Sequence, residues 1–327
     1  WLTTVLFWLV AFSYLIGRVV ERSGAMALAE PIIKTGSWWL GAMVYLTLLF
    51  LLVDIVRGLN GLLNISNVLQ FSWSETTGKT IIVAIYALSA VILIGGYLSA
   101  KIPVARTQAF KIEKPMLTGP QKVVLASDIH LGMMIANGWL NRLVKLINAQ
   151  NADLVLLAGD VFDEDLGSVI KNNLGDLLKK IEAKNGVYAI LGNHEFYGDA
   201  DTAEKYLKDH QIVVLRDSVA LADNGMVIIG REDITWESMT GKKRKSLDEL
   251  LSESNGESPV IVMDHQPYKL AEVAKHNVDL QVSGHTHNGQ MWPFNYITGA
   301  MFEISKGYGK IGNTHFYVSS GFGTWGP

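Results

Sequence analysis

Aspartates, histidines and one asparagine recur in this sequence at the ends of short apolar runs. Ser283-Gly284-His285-Thr286-His287-Asn288-Gly289-Gln290 sets two histidines one residue apart, directly after the apolar run Val278–Val282. Four earlier blocks share the layout: Ser127-Asp128-Ile129-His130, Ala158-Gly159-Asp160-Val161-Phe162-Asp163, Leu191-Gly192-Asn193-His194-Glu195 and Met263-Asp264-His265-Gln266-Pro267. Residues at i and i+2 of an extended backbone point the same way, with Cα atoms roughly 6–7 Å apart. Asp128 with His130, and His285 with His287, are therefore expected to face one ion or two neighbouring ions. Carboxylate, imidazole and amide donors without sulfur suit Mn²⁺, with Fe or Zn²⁺ as alternatives. Singly, each block has an ordinary explanation, such as a helix-capping aspartate or a hydrogen-bonded core histidine. Five in succession at strand ends point to a metal site with more donors than one ion needs, because ligands of open α/β sheets gather at the carboxyl ends of the strands.

The elements that position these residues are written in the apolar pattern after Gln121. Strands are expected at 122–126, 153–157, 186–191, 260–263, 278–282 and 314–319, with helices at 138–150, 173–183, 202–209, 247–251 and 268–275. Three short runs, at 212–215, 219–221 and 226–229, read as antiparallel strands. Strands alternating with helices make this an α/β layer architecture with parallel elements. About 200 residues suffice for one core.

The order Asp128-x-His130, Gly159-Asp160-x-x-Asp163, Gly192-Asn193-His194-Glu195, His265, Gly284-His285-x-His287 resembles the calcineurin-like metallophosphoesterase superfamily, over 121–327. The Gly-His-Thr-His block followed by Gly-Gln and Trp-Pro-Phe, and the late Gly321–Pro327 stretch, are similar to a bacterial membrane-associated branch grouped with UDP-2,3-diacylglucosamine pyrophosphatase-like hydrolases. The resemblance implies an α/β fold, a two-layered β-sandwich flanked by helices, with two divalent metal ions at one edge. It implies that Asp128, His130 and His287 hold the first ion, that Asn193, His265 and His285 hold the second, and that Asp160 bridges them. His194 becomes the general acid or transition-state donor at the leaving-group oxygen. Two close metals lower the pKa of bound water and clamp phosphate oxygens during in-line attack. Asp163 is a candidate to orient His194 or His130, or a residue without catalytic weight, and Glu195 has the same ambiguity. Asn288 stands where the branch pattern has glycine; asparagine tolerates left-handed backbone better than other side chains.

The first hundred residues have a different character. Mean hydropathy of the chain is +0.22, and the apolar excess lies there. Three stretches of about 20 residues, 1–20, 37–56 and 80–100, are each long enough to cross a ~30 Å hydrocarbon core. Trp38, Trp39, Tyr45 and Tyr97 suit interfacial positions. Residues 101–120, with three prolines, read as a linker. Arg18, Arg22, Lys34, Lys101, Arg106, Lys111 and Lys114 fall on one side, which the positive-inside rule makes cytoplasmic. The expected location is a bacterial plasma membrane, with the catalytic domain on its cytoplasmic face.

A net charge of −3 and a pI near 6.3 give no sign of a nucleic-acid partner. Absence of cysteine excludes disulfides, thiolate ligands and cysteine nucleophiles. The leading expectation is a membrane-anchored phosphohydrolase acting on a lipid-linked phosphoester or pyrophosphate. The alternatives are a phosphatase or phosphodiesterase of a soluble substrate that uses its helices only as an anchor, and a non-catalytic signalling or scaffold protein. Trp292, Phe294 and Tyr296 read either as an apolar lip for a lipid or as packed aromatics, and Lys242-Lys243-Arg244-Lys245 as a solvated loop or a phosphate- or membrane-binding run. His210, His276 and His315 lie outside the motifs and read as surface or strand residues.

Overall fold

A computed structural model describes residues 1–63, 74–115, 119–254 and 256–326. It divides into two units, one built on Trp1–Pro103 and one spanning Val104–Trp325.

The first unit is helical: α1 (Leu2–Ala11), α2 (Ser13–Arg22), α3 (Met26–Leu63) and α4 (Glu75–Ala100). Two of these, α3 and α4, are long and apolar enough to cross a membrane. The expected single helix over 1–20 is instead a pair bent by 58° at Phe12, which makes a third span only if the pair counts as one. The expected loop between Arg18 and Ser37 is helical apart from a turn at 23–25, and α3 runs well beyond the expected 37–56. The second loop narrows likewise, since α3 continues to Leu63 and α4 starts at Glu75 with Ser74 as its N-cap; the rest of it lies outside the described residues. Close approach explains how α2 folds back on α3. A Cβ on Gly17 would lie 2.5 Å from Ile33 Cγ1, and one on Gly36 would overlap the Tyr14 backbone. Small residues let helix backbones meet in this way.

The second unit is a sandwich of two sheets. β1 (Val123–Ala126), β2 (Leu154–Ala158), β3 (Val187–Ile190) and β4 (Val213–Val214) form an all-parallel sheet in that order. The other sheet has the order β5 (Ser218–Leu221), β6 (Val227–Gly230), β7 (Val260–Met263), β8 (Leu280–Ser283), β10 (Thr314–Val318), β9 (Gly307–Ile311). Its inner four strands are parallel and its two edge strands antiparallel. Strand period sorts the side chains into layers. Leu154, Leu156 and Ala158 face the intersheet core with Ile228, Ile261 and Val282, while Val155 and Leu157 face the helices on the other side.

Three sequence expectations change here. The run 212–215 pairs parallel to β3, so only β5 and β6 form an antiparallel pair among the three short strands. The helix expected at 173–183 shrinks to Gly175–Leu178, since Asn173 takes left-handed backbone (φ 49°), and a separate short helix, Gly167–Lys171, precedes it. The helix expected at 268–275 shortens to Leu270–Val273 after Lys269 at φ 55°. The linker has no regular structure over 103–113, yet it is not loose: Phe110 stacks on His315 at 4.4 Å and Lys114 meets Asp279 at 2.8 Å. Its residues 116–118 lie outside the described residues.

Leu156 is fully buried between the sheets. Leu156→Ala is expected to cost about 2–5 kcal/mol of stability, read as an earlier midpoint in denaturant titration of the detergent-solubilised chain. Leu221→Ala, on an exposed edge side chain, should stay within about 0.5 kcal/mol.

Candidate metal centre

Each block identified in the sequence sits at, or just beyond, the carboxyl end of a parallel strand: Asp128 and His130 after β1, Asp160 after β2, Asn193 and His194 after β3, His265 after β7, His285 and His287 after β8. The backbone there is not extended, as the spacing alone suggested. Asp128, His130, Asp160, His285 and His287 have φ of 52°, 51°, 50°, 71° and 46°. Left-handed residues with side chains cost of order 1–3 kcal/mol each and gather at functional sites. The turns bring side chains together that a pleated strand would spread along its face.

Main-chain bonds hold these turns in place. Asp128 N donates to Gly159 O (3.0 Å), Ile129 N and His130 N to Asp160 O (2.7 and 3.0 Å), and Leu131 N to Val161 O (2.9 Å). The Glu195 carboxylate accepts from the backbone N–H groups of Asp160 (3.1 Å), Phe162 (2.8 Å) and Gly192 (2.7 Å). Gly323 N donates to Asp128 O at 2.8 Å, which gives the late glycine-rich stretch a structural task. Pro327, at its end, lies outside the described residues. Gly159 is required on two counts: its φ is +84°, and a Cβ would lie 2.5 Å from His265 Nδ1. Asn288 adopts φ 50°, ψ 38°, the left-handed conformation expected of an asparagine in place of glycine.

The side chains converge. His130 Nε2 lies 3.0 Å from His287 Nε2, and His287 Nε2 lies 3.4 Å from Asp128 Oδ1. His285 Nδ1 is 2.8 Å from Asn193 Oδ1. Asp160 Oδ2 is 3.1 Å from His265 Nε2 and 3.8 Å from His130 Nε2. Two donors at right angles, each ~2.1 Å from one ion, stand ~3.0 Å apart, so these separations fit the edges of coordination polyhedra. Three groups offer ligand atoms within 4.8 Å of one another: Asp128 with His130 and His287, His130 with Asp160 and His194, and Asp128 with Asp160 and His265. Asp128, His130 and Asp160 each belong to two of them. His265 donates from Nδ1 to Ala158 O at 2.8 Å, which aims Nε2 into the cluster, where it makes no aligned hydrogen bond among the described residues. That is the second-shell pattern that fixes a metal-binding tautomer.

Burial shapes the charges. Burial lowers His130 to about 4 against the pull of Asp160, and burial with the neighbouring His265 lowers His285 to about 4. Both rings are thus neutral and able to ligate at ordinary pH. Burial would also raise Asp160, but the imidazoles of His265, His130 and His194 outweigh it and hold the carboxyl far below its usual range. At His265 burial opposes the charged ring, yet Asp160, Asp128 and Asp233 hold it well above the usual histidine range. Burial and the Asp160 charge push Glu195 up to about 8.

Sequence reasoning missed several neighbours of the site. Ser127 Oγ hydrogen-bonds Asp128 Oδ2. Arg231 and Arg244 both pair with Asp264, at 3.1 and 3.0 Å, so Arg244 of the basic run turns inward beside His265 while Lys242 and Lys243 stay exposed. Rings of Tyr197 and Trp325 lie 5.7 and 6.1 Å from His194, and Phe302 lies 6.2 Å from His285. Tyr197 was findable as the i+3 neighbour of His194 on a helix; nothing local marked Trp325 or Phe302. His315, expected at the surface or on a strand, is a buried residue of β10, whereas His276 pairs with Asp248 at 2.9 Å and His210 hydrogen-bonds Tyr206 O at 2.7 Å.

The proton on His265 yields a prediction. A metal at Nε2 must displace it, so divalent-metal affinity should rise with pH up to the elevated pKa of His265. Titrating Mn²⁺ into the metal-free chain by calorimetry, in buffers of differing ionisation enthalpy, should show proton release. Heats that do not depend on the buffer would contradict this.

Comparison with known proteins agrees with the geometry. An uncharacterized metallophosphoesterase of Helicobacter pylori is 30% identical over 212 residues, 63% of this chain, which spans 55% of that protein's length. An uncharacterized metallophosphoesterase of Aquifex aeolicus is 28% identical over 72% of this chain and 91% of its own. A Danio rerio transmembrane protein with metallophosphoesterase domain is 25% identical over 90% of this chain and 72% of its own, a range that includes helices of the first unit. Residues 121–289, more than half of the chain, match the calcineurin-like phosphoesterase family. With five strand ends converging on a cluster of carboxylates and imidazoles, the chain belongs to the calcineurin-like phosphoesterase family.

Proposed function

We propose that the chain is a membrane-anchored, dinuclear-metal phosphohydrolase that cleaves a phosphoester or pyrophosphate bond of a lipid-linked substrate. The observation that carries the reading is the buried Asp160 carboxylate, whose Oδ2 lies 3.1 Å from His265 Nε2 and 3.8 Å from His130 Nε2, one residue from each proposed ligand set. Asp128, His130 and His287 would hold one ion and Asn193, His265 and His285 the other, with Asp160 between them. Bound divalent ions would supply an activated water and neutralise phosphate oxygens. Mn²⁺ suits the donor set, with Fe or Zn²⁺ as alternatives. The two apolar helices in the same chain support a plasma-membrane location and a lipid-linked substrate, and the basic residues Arg18, Arg22, Lys34, Lys101, Arg106, Lys111 and Lys114 support a cytoplasmic domain. The likeness to UDP-2,3-diacylglucosamine pyrophosphatase-like enzymes in the histidine block supports the same substrate class. Completeness of the donor set speaks against a vestigial scaffold.

His194 is the proposed proton donor. Its Nδ1 lies 3.3 Å from Asp163 Oδ1 and its backbone N–H donates to Asp160 Oδ1 at 2.9 Å. This contact supports Asp163 as the residue that orients His194. Burial opposes protonation of His194, but the hydrogen bond with Asp163 and the Asp160 charge outweigh it and raise its pKa. A protonated ring held at Nδ1 can give its Nε2 proton to a leaving oxygen. The acid form is lost as pH rises through that raised pKa.

Asp160→Ala should lower bound metal and hydrolysis of a phosphodiester by at least about 100-fold. His194→Ala should retain stoichiometric metal and lower kcat by about 10²–10⁴-fold; an unchanged rate would remove its role. Asp163→Asn should move the alkaline limb of the kcat profile to lower pH, since it deletes the group that raises His194. A purified chain that binds no metal and hydrolyses neither mono- nor diesters would overturn the whole reading.

A further inference from the structure

The segment after the last histidine block is an exposed apolar ledge. From Leu280 to Phe302 the chain has no Asp, Glu, Lys or Arg. Within that stretch the helix Asn295–Met301 buries none of its residues. Trp292 is 63% exposed, Tyr296 69%, Ile297 54% and Met301 62%. A water-facing helix normally sets charged residues opposite its apolar stripe; this one offers Tyr296, Ile297 and Met301, with Trp292 just before it, and nothing ionic.

Both ends of the ledge are tied to the candidate metal centre. At its start, Gln290 Nε2 donates to Trp325 O at 2.8 Å, and the Trp325 ring faces His194 at 6.1 Å. At its end, Phe302 packs on His285 at 6.2 Å and on Tyr268 at 5.0 Å. Tyr197 and Trp325, beside His194, are themselves about half exposed. The apolar surface thus runs from the ledge to the rim of the cluster.

We propose that the ledge Trp292–Met301 is a membrane-docking surface that dips into the boundary between headgroups and acyl chains and presents the metal centre to lipid phosphoesters. Two observations select a bilayer as the occupant. Trp and Tyr are the side chains that settle at headgroup depth, apolar on one side and hydrogen-bonding on the other. The same chain carries two helices that can cross a membrane, so a bilayer is the apolar phase it always has at hand. The inference rests on the lipid-linked reading of the site for its purpose, and it gives that reading a means of reaching a headgroup phosphate. Insertion of a few apolar side chains is reversible, which suits a surface that must release product.

The chain has no cysteine, so one introduced thiol is a unique attachment point. The Tyr296→Cys variant of the whole 327-residue chain, labelled with an environment-sensitive fluorophore, is reconstituted into phosphatidylglycerol–phosphatidylethanolamine vesicles. Lys242→Cys, at an exposed lysine outside the ledge, is labelled in parallel. Docking requires a blue-shifted emission at 296 that doxyl-labelled lipids quench, with water-like, unquenched emission at 242. Water-like emission at both positions overturns the proposal. So does a blue shift at 296 that lipid quenchers leave untouched, because a protein surface would then cover the ledge. The label reports docking without turnover. Quenching at 296 in a chain that hydrolyses no phosphoester leaves the docking surface standing and removes the hydrolase reading. Hydrolysis with the label in water removes the docking surface alone.

Discussion

Two carboxylates, Asp128 and Asp160, are buried at the point where the strands of both sheets end, with no lysine or arginine among the described residues paired to either. Burying a carboxylate is expensive unless it is paired or coordinates a cation. Here the surroundings supply imidazoles instead: His130, His194, His265, His285 and His287. A cluster of this kind is balanced only when positive charge enters it, as protons on the rings or as metal. The sandwich supplies its frame, because parallel strands in both sheets deliver their polar ends to one edge.

The turns that follow the strands bear the strain of that arrangement. Left-handed backbone at Asp128, His130, Asp160, His285 and His287 would relax if each turn stood alone. They do not stand alone. The turn after β1 is bonded to the turn after β2 residue by residue, and Gly284 N reaches back to His265 O at 2.9 Å. Strain in one turn is met by hydrogen bonds from the next, so the geometry is a property of the set.

Much of this was legible in the sequence. The alternation of apolar runs with helical periodicity located β1, β2, β3, β7, β8 and β10 to within two residues, because parallel strands buried on both faces leave continuous apolar runs. The seven expected ligands and His194 all reach the cluster, because glycine and polar residues directly after such runs mark the ends of strands. What stayed hidden had physical reasons. β9 sets exposed Tyr308 and Lys310 between half-buried Gly307, Gly309 and Ile311 and has no apolar run to reveal it. Asn173 interrupts and Lys269 delays a helix through left-handed backbone, to which periodicity is blind. The first apolar stretch looked like one span because composition does not register a bend at Phe12. The partners of Asp264 and the rings beside His194 and His285 are long-range contacts that no local spacing encodes.

Glu195 has a consequence beyond charge. Its carboxylate gathers amide groups from Asp160, Phe162 and Gly192, residues that lie on either side of the excursion between β2 and β3. The chain between them packs Val169, Leu174 and Leu178 into the core and sets Asp163 beside His194. The clamp ties the turns after β2 and β3 directly to each other, so their mutual alignment does not rely on the longer path through the two short helices.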